Sequence, residues 1–256
     1  LHTAYRRQRQ MCIRDRLSGD PYPRKIQDCL DSWKKHLPSY EIILWDTKRF
    51  NIHEVPWVEQ AFNTKKYAFA ADYIRLYALY HHGGIYLDSD VEILKSLDNF
   101  LELPYFVGAE TSGTIEAAIL GAEKGCDWIK CCLDYYEGRN FIREDGSYDI
   151  RMLPEILNET ILRLKPVINM PSGSNIDDLK KKDLGEAVYV LPKEYFSPKV
   201  FDSREVFLTP ETHAIHHYQN SWFSHKAFAY YRTRTLFIKI FGYKAVRSLE
   251  KMLLKR

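Results

Sequence analysis

The sequence predicts an α/β fold with crossover connections between strands, and three observations predict it. Helical and strand-like segments alternate along the first third of the chain, which argues for a sheet covered by helices. At 256 residues with 45% hydrophobic content, the chain can bury a core of that size. The stretch from Tyr67 to Val91, YAFAADYIRLYALYHHGGIYLDSDV, reads as a buried helix, a glycine stop and a buried strand in direct succession.

The N-terminal residues 1–20, LHTAYRRQRQMCIRDRLSGD, are basic, polar and without periodicity, and no structure is expected of them. Met11 to Arg16 resembles translated adapter or vector sequence, with a disordered basic arm as the alternative. From Pro21 the pattern changes. Asp28 to Leu37, with Ile26 just ahead, spaces Cys29, Leu30, Trp33 and Leu37 as one face of a helix. Its last turn carries Lys34, Lys35 and His36, which suit the negative end of the helix dipole. Pro38-Ser39 breaks that helix, and Glu41 to Trp45 reads as a buried strand closed by Asp46. Asn51 to Asn63 reads as loop and short helix.

Tyr67 to Tyr80 is apolar or aromatic apart from Asp72 and Arg75, which lie three apart and so share a helical face. His81 and His82 fall in the last turn, and Gly83-Gly84 supply a positive-φ stop. Ile85 to Leu87 is the buried strand, and Asp88-Ser89-Asp90 follows at its carboxyl end. In open α/β sheets that edge is where ligands bind.

Farther on, Leu97 to Leu103 reads as a turn and Tyr105 to Gly108 as a strand. Gly121 to Glu137 has helical spacing, and Ile150 to Leu164 is a helix entered through Pro154. Pro171 to Gly185 reads as a polar surface excursion. Val188 to Leu191 and Glu194 to Phe196 read as short strands, and Ala214 to Tyr218 as another. Alternation puts His216 and His217 on opposite faces of that last strand, so at most one meets the Asp pair.

Two carboxylates one residue apart repel strongly in a narrow site unless a cation lies between them. Hard oxygen ligands suit magnesium or manganese, and an imidazole completes a set for manganese. An Asp-x-Asp alone is equally a solvated turn, and a histidine on a strand is commonly structural. The coincidence of helix pair, glycine stop and strand favours the metal.

The net charge of +3 is unevenly placed. From Lys226 to Arg256 nine Lys or Arg face one acid, Glu250, so this tail carries +8 and the other 225 residues −5. Leu236, Ile240, Tyr243, Val246, Leu249 and Leu253 recur there at helical spacing among the basic residues. A basic amphipathic helix reads as a binder of anionic membrane surface, or as a helix packed on the domain with a solvated face. Nucleic acid is not expected, for want of a groove-reading motif. No apolar run reaches the eighteen residues of a membrane span, and no secretory signal is recognised. The five cysteines follow no metal-clamp spacing and suit a reducing compartment. The expected organisation is an arm over 1–20, a catalytic domain over 21–225 and a helical tail over 226–256. The expected location is cytoplasmic and peripheral on the inner face of the membrane.

Ala71-Asp72-x-x-Arg75 with Gly83-Gly84-Ile85-Tyr86-Leu87-Asp88-Ser89-Asp90 resembles the DXD signature of sugar-nucleotide glycosyltransferases of the capsular-polysaccharide and Och1-like group. The likeness extends more distantly to the clostridial glucosylating toxins. SWKKHLPSYEIILWD (Ser32 to Asp46) and AIHHYQNSW (Ala214 to Trp222) are further landmarks, so the resemblance runs from Pro21 to about Trp222. It implies a GT-A fold, a mixed Rossmann-like sheet flanked by helices, and a retaining transfer from a UDP- or GDP-sugar with Mn2+ or Mg2+. The acceptor would be a saccharide or a lipid-linked one, in surface polysaccharide synthesis.

The resemblance also implies roles. Asp90 would ligate the metal and Asp88 would sit between metal and ribose or sugar. Tyr86 would line the nucleotide, Asp72 would bond donor-sugar hydroxyls, and Arg75 would hold the diphosphate. His216 or His217, with Asn220, Ser221 and Trp222, would close over the diphosphate. Two departures stand out. Family members usually open with a strand ending in Trp-x-Gly, which Leu1 to Gly19 lacks, and Ala71 stands where Ser is common. Two rivals are a haloacid-dehalogenase-type phosphohydrolase, which wants Thr or Val where Glu92 stands, and a non-catalytic sugar-nucleotide or carbohydrate-binding remnant.

Overall fold

A computed structural model describes residues 10–14, 22–111, 113–200, 204–219, 233–238, 240–242 and 246. Strand β1 (Gln10–Arg14) pairs in parallel with both β2 (Glu41–Trp45) and β3 (Gly84–Leu87). The order β2-β1-β3-β6-β5 makes a mixed five-stranded sheet, with β5 (Tyr105–Ala109) and β6 (Ile115–Ala122) joined as an antiparallel hairpin and β6 antiparallel to β3. Helices α1 (Arg24–His36), α2 (Pro56–Asn63) and α3 (Tyr67–His82) connect the parallel strands, and α4 (Asp127–Asp134) and α5 (Leu153–Leu164) follow the hairpin. The mixed α/β architecture expected from the alternation is therefore present.

The sheet divides two cores. On one side Tyr86, Tyr105, Val107 and Leu120 pack with Trp57, Leu76 and Leu79 of the helices and with Trp128 of α4. On the other, Ile85, Leu87, Phe106 and Ile119 pack with Trp33, Leu37, Phe100 and Phe196. Neighbouring residues of one strand thus enter opposite cores, as the two-residue period of a strand requires. Strand β7 (Val167–Asn169) pairs in parallel with β8 (Val188–Val190), and Leu191 just beyond β8 bridges to Gly108. A short helix, α6 (Ile176–Lys180), opens on a capping box formed by Asn175 and Asp178.

Two features place the aspartate pair. Gly83 ends α3 at φ +70 and ψ −174, a region essentially open to glycine alone. A Cβ there would also stand 2.7 Å from the main-chain nitrogen of Lys124. The chain therefore reverses into β3 without a connecting loop. Beyond the pair, β4 (Val91–Ile93) joins β9 (Ala214–His216) in a two-stranded antiparallel sheet, with Val91 opposite His216. Helix α1 clamps this ribbon. Trp33 Nε1 donates to the Val91 carbonyl at 2.7 Å, and Ser32 Oγ accepts from the Ile93 amide at 2.9 Å.

Five expectations need correction. Residues 10–14, of which composition predicts no structure, form a strand between β2 and β3 in the sheet order, because β-sheet pairing on both sides supplies what composition does not. Strand β2 is not buried: Ile42 and Leu44 are 38% and 37% exposed at the end of the sheet order. Gly121 and Ala122 belong to β6 and not to a helix, which begins only at Asp127. All eight residues of β6 are buried, so the strand has no alternation, and its alanines read as helix formers. Glu194 lies in a single helical turn, Lys193–Tyr195, and not in a strand. The excursion from Pro171 to Gly185 contains α6. Cys29, Cys126, Cys131 and Cys132 carry free thiols. No helix among the described residues is long and apolar enough to cross a membrane.

Candidate active site

Helix α3, the end of β3, the middle of β6 and strand β9 converge on one cluster of charged groups. Arg75 projects from α3, and its guanidinium lies 2.9 Å from Asp72 Oδ1 one turn earlier and 3.4 Å from Asp88 Oδ1 at the tip of β3. It also donates to the Ala117 carbonyl of β6 at 2.7 Å and lies 4.6 Å over the ring centre of Tyr86. The side chain is 4% exposed, which a cation tolerates only when carboxylates and carbonyls surround it.

Asp88 and Asp90 are nearly buried. Asp88 Oδ1 accepts from the Tyr86 hydroxyl at 2.5 Å, and its amide donates to the Ala118 carbonyl at 2.8 Å. Asp90 Oδ2 accepts the Gln219 amide at 2.8 Å, and its carbonyl accepts the His217 amide at 3.0 Å. The pair is thus fixed from both sides, by β6 and by the segment after β9.

Of the two histidines, His216 meets the pair. Its Nε2 lies 3.6 Å from Asp90 Oδ1, and its Nδ1 lies 3.1 Å from Glu116 Oε2. His217 turns away, with Nε2 2.8 Å from Glu92 Oε2 and Nδ1 3.3 Å from Lys199 Nζ, and is left out of the ligand set. One ligand atom each from Asp88, Asp90 and His216 lies within 4.8 Å of the others. Two carboxylate oxygens and one imidazole nitrogen fit a divalent cation of the manganese type.

Glu116 was not singled out in the sequence. It stands among the alanines of β6, whose strand character was unrecognised, and no local signal marks it. It is 3% exposed, more buried than either aspartate. Ser197 Oγ donates to its Oε2 at 2.6 Å, and the Ala118 amide donates to its Oε1 at 2.9 Å. Burial alone would raise its pKa. The His216 charge and hydrogen bond, Ser197 and the Ala118 amide outweigh burial and bring the carboxyl down to about 2. Burial likewise disfavours charge on His216, but Glu116, Asp90 and Asp88 overcome it and lift the imidazole to about 9 in the absence of a cation. Three successive residues of β6 therefore serve three site residues: Glu116 holds His216, Ala117 holds Arg75 and Ala118 holds Asp88.

The remaining expected residues fall out as follows. Tyr86, expected along the nucleotide, is 2% exposed and turned toward Asp88 and Arg75. Asn220, Ser221 and Trp222 lie outside the described residues.

Residues 23–107 match the family described as a glycosyltransferase sugar-binding region containing a DXD motif. This stretch is similar to a DXD glycosyltransferase region. The match bears out the resemblance drawn from Asp72, Arg75 and Asp88-Ser89-Asp90. The chain is 34% identical over 92 residues to inositol phosphoceramide mannosyltransferase 3 of Schizosaccharomyces pombe, covering 34% of this chain and 26% of that protein. It is 33% identical over 109 residues to mannosyl phosphorylinositol ceramide synthase SUR1 of Saccharomyces cerevisiae, covering 38% of this chain and 28% of that protein. The matched stretches thus span about a quarter of these relatives. The solved structure of the PaToxG glycosyltransferase overlaps 64% of this chain and 74% of its own at 17% identity and a TM-score of 0.43, too weak a likeness to assign a fold.

Proposed function

We propose that the chain is a metal-dependent, retaining glycosyltransferase of the GT-A type that moves a sugar from a nucleotide diphosphate to a saccharide or lipid-linked acceptor. The observation that carries this reading is the convergence of Asp88, Asp90 and His216 within 4.8 Å, inside a DXD region. The similarity to fungal mannosyl-transferring proteins favours a mannosyl donor over other hexoses. A bound Mn2+ or Mg2+ supplies positive charge beside the departing diphosphate.

The protein's own groups do the rest. Asp88, Asp90 and His216 would hold the cation, and the segment after β9 fixes Asp90 through Gln219. Arg75 offsets the negative charge of Asp72 and Asp88 next to the cation site. Asp72, at 14% side-chain exposure, is available to accept from donor-sugar hydroxyls. In the transfer itself the bond from the anomeric carbon to the diphosphate oxygen breaks as the acceptor oxygen attacks the same face. The acceptor proton passes to the departing phosphate. No residue of the motif is an obvious nucleophile for a covalent intermediate.

The tail extends the reading to a surface. Leu236, Phe237, Ile240 and Phe241 are each about half exposed or more, while Ile238 is buried. An exposed apolar face within a tail of +8 suits an anionic bilayer, and we place the protein on the inner face of a membrane in polysaccharide or glycolipid synthesis. The rest of the tail lies outside the described residues.

The test is hydrolysis of a panel of UDP- and GDP-sugars with and without Mn2+. Release of nucleotide from one donor, dependent on the metal, is expected. Failure of every donor, with Mn2+ bound, would leave the non-catalytic binding remnant as the better account.

A further inference from the structure

We propose that Glu116 is a positioning residue that fixes the ring of His216 for a divalent cation at Asp88 and Asp90. This inference rests on the metal reading above and goes beyond it, because Glu116 is not itself among the ligand-forming groups.

The argument is geometric. The two ring nitrogens of a histidine point in nearly opposite directions, and the partner of one decides what the other can do. In His216 one nitrogen, Nδ1, is 3.1 Å from Glu116 Oε2, and Nε2 is directed at Asp90 Oδ1. A carboxylate that accepts the Nδ1 proton leaves the lone pair at Nε2 for the cation, fixes the ring plane and makes the ring more basic. Glu116 can do this because it is itself immobile. Its Oε1 takes the Ala118 amide, its Oε2 takes the Ser197 hydroxyl, and the Tyr218 hydroxyl stands 3.4 Å away. The Tyr218 ring, with its centre 4.0 Å from that of His216, closes the other side of the imidazole.

A purely structural ion pair would use the same contacts, so the test must separate the two. In the full chain, Mn2+ affinity is read from the free-ion signal in electron paramagnetic resonance. Glu116→Gln is expected to weaken binding by about ten- to a hundredfold. In a His216→Ala background the same substitution should change affinity by less than about twofold, because Glu116 acts only through that ring. Ser197→Ala keeps the carboxylate and removes the hydroxyl that steadies it, and should weaken binding by roughly three- to tenfold. It serves alone if Glu116→Gln fails to fold. Thermal melts record the structural share separately.

Unchanged Mn2+ affinity in a folded Glu116→Gln or in Ser197→Ala overturns the proposal. So does an equal loss with and without His216. Wild-type protein that binds no Mn2+ removes the metal reading and this one together, whereas binding that ignores Glu116 removes this one alone.

Discussion

The indole of Trp33 hangs from helix α1 onto the carbonyl of Val91, 2.7 Å away and out of reach of solvent. That bond ties the helix to the residue immediately after Asp90. Trp33→Phe keeps most of the apolar volume and leaves the carbonyl unpaired, which should cost about 1–3 kcal/mol in urea denaturation. Trp33→Ala adds a cavity in the second core and should cost about 3–5 kcal/mol.

Asp90→Asn is expected to abolish Mn2+ binding and sugar transfer while the protein still folds. The amide oxygen can still accept from Gln219, so the backbone contact survives the loss of charge. Near-normal metal-dependent turnover in this variant would defeat the assignment, and the same preparations should be compared by circular dichroism.

Arg75 balances two aspartates at once. Arg75→Ala removes the cation beside Asp72 and the nearly buried Asp88, a loss of about 3–5 kcal/mol. Arg75→Lys keeps the charge but not the planar fork that reaches Asp72, Asp88 and Ala117 together, and should lose part of that. If denaturant midpoints do not move for Arg75→Ala, the contacts are incidental.

Protons and metal compete for His216. Its pKa of about 9 in the metal-free protein lies above the ordinary 6.5, so the charged form is favoured by folding. Its contribution to stability is complete below about pH 6.5 and disappears as pH rises through about 9. Glu116, held at about 2, stays ionised throughout. The metal-free protein should therefore melt at lower temperature as pH climbs through that window. Mn2+ affinity should do the reverse, rising about tenfold per pH unit toward pH 9 and then levelling. A flat affinity profile measured by calorimetry would exclude His216 as a ligand.

Gly83→Ala tests the turn that delivers β3. The conformation alone should cost about 1–3 kcal/mol, and the clash with the Lys124 backbone adds to it. A variant as stable as wild type in thermal melts would mean the turn relaxes elsewhere.

The core of the site was legible because its signals are local. Asp72 and Arg75 share a face through helical spacing, Gly83 announces the stop, and Asp88 and Asp90 follow a short apolar strand. Choosing between His216 and His217 was beyond periodicity, which only says that one of them faces away. The choice is made by β4 pairing with β9, a contact between distant segments. Strand β6 was invisible for a related reason. A strand buried on both faces needs no alternation, and IEAAILGA carries more helix formers than strand formers. With β6 went Glu116, whose partners Ser197 and His216 lie 81 and 100 positions away. Strand β1 was missed because nothing in QMCIR outweighs the basic, aperiodic text around it; only its two neighbours identify it.

The ribbon of β4 and β9 also imposes an order of assembly. Asp90 and the Gln219 amide that steadies it are separated by 129 positions. A ribosome therefore exposes both aspartates, α3 and the whole hairpin of β5 and β6 well before the imidazole emerges. Until then Glu116 sits opposite an empty place, so a nascent polypeptide has the sheet's strands in hand while its cation ligands are still one short.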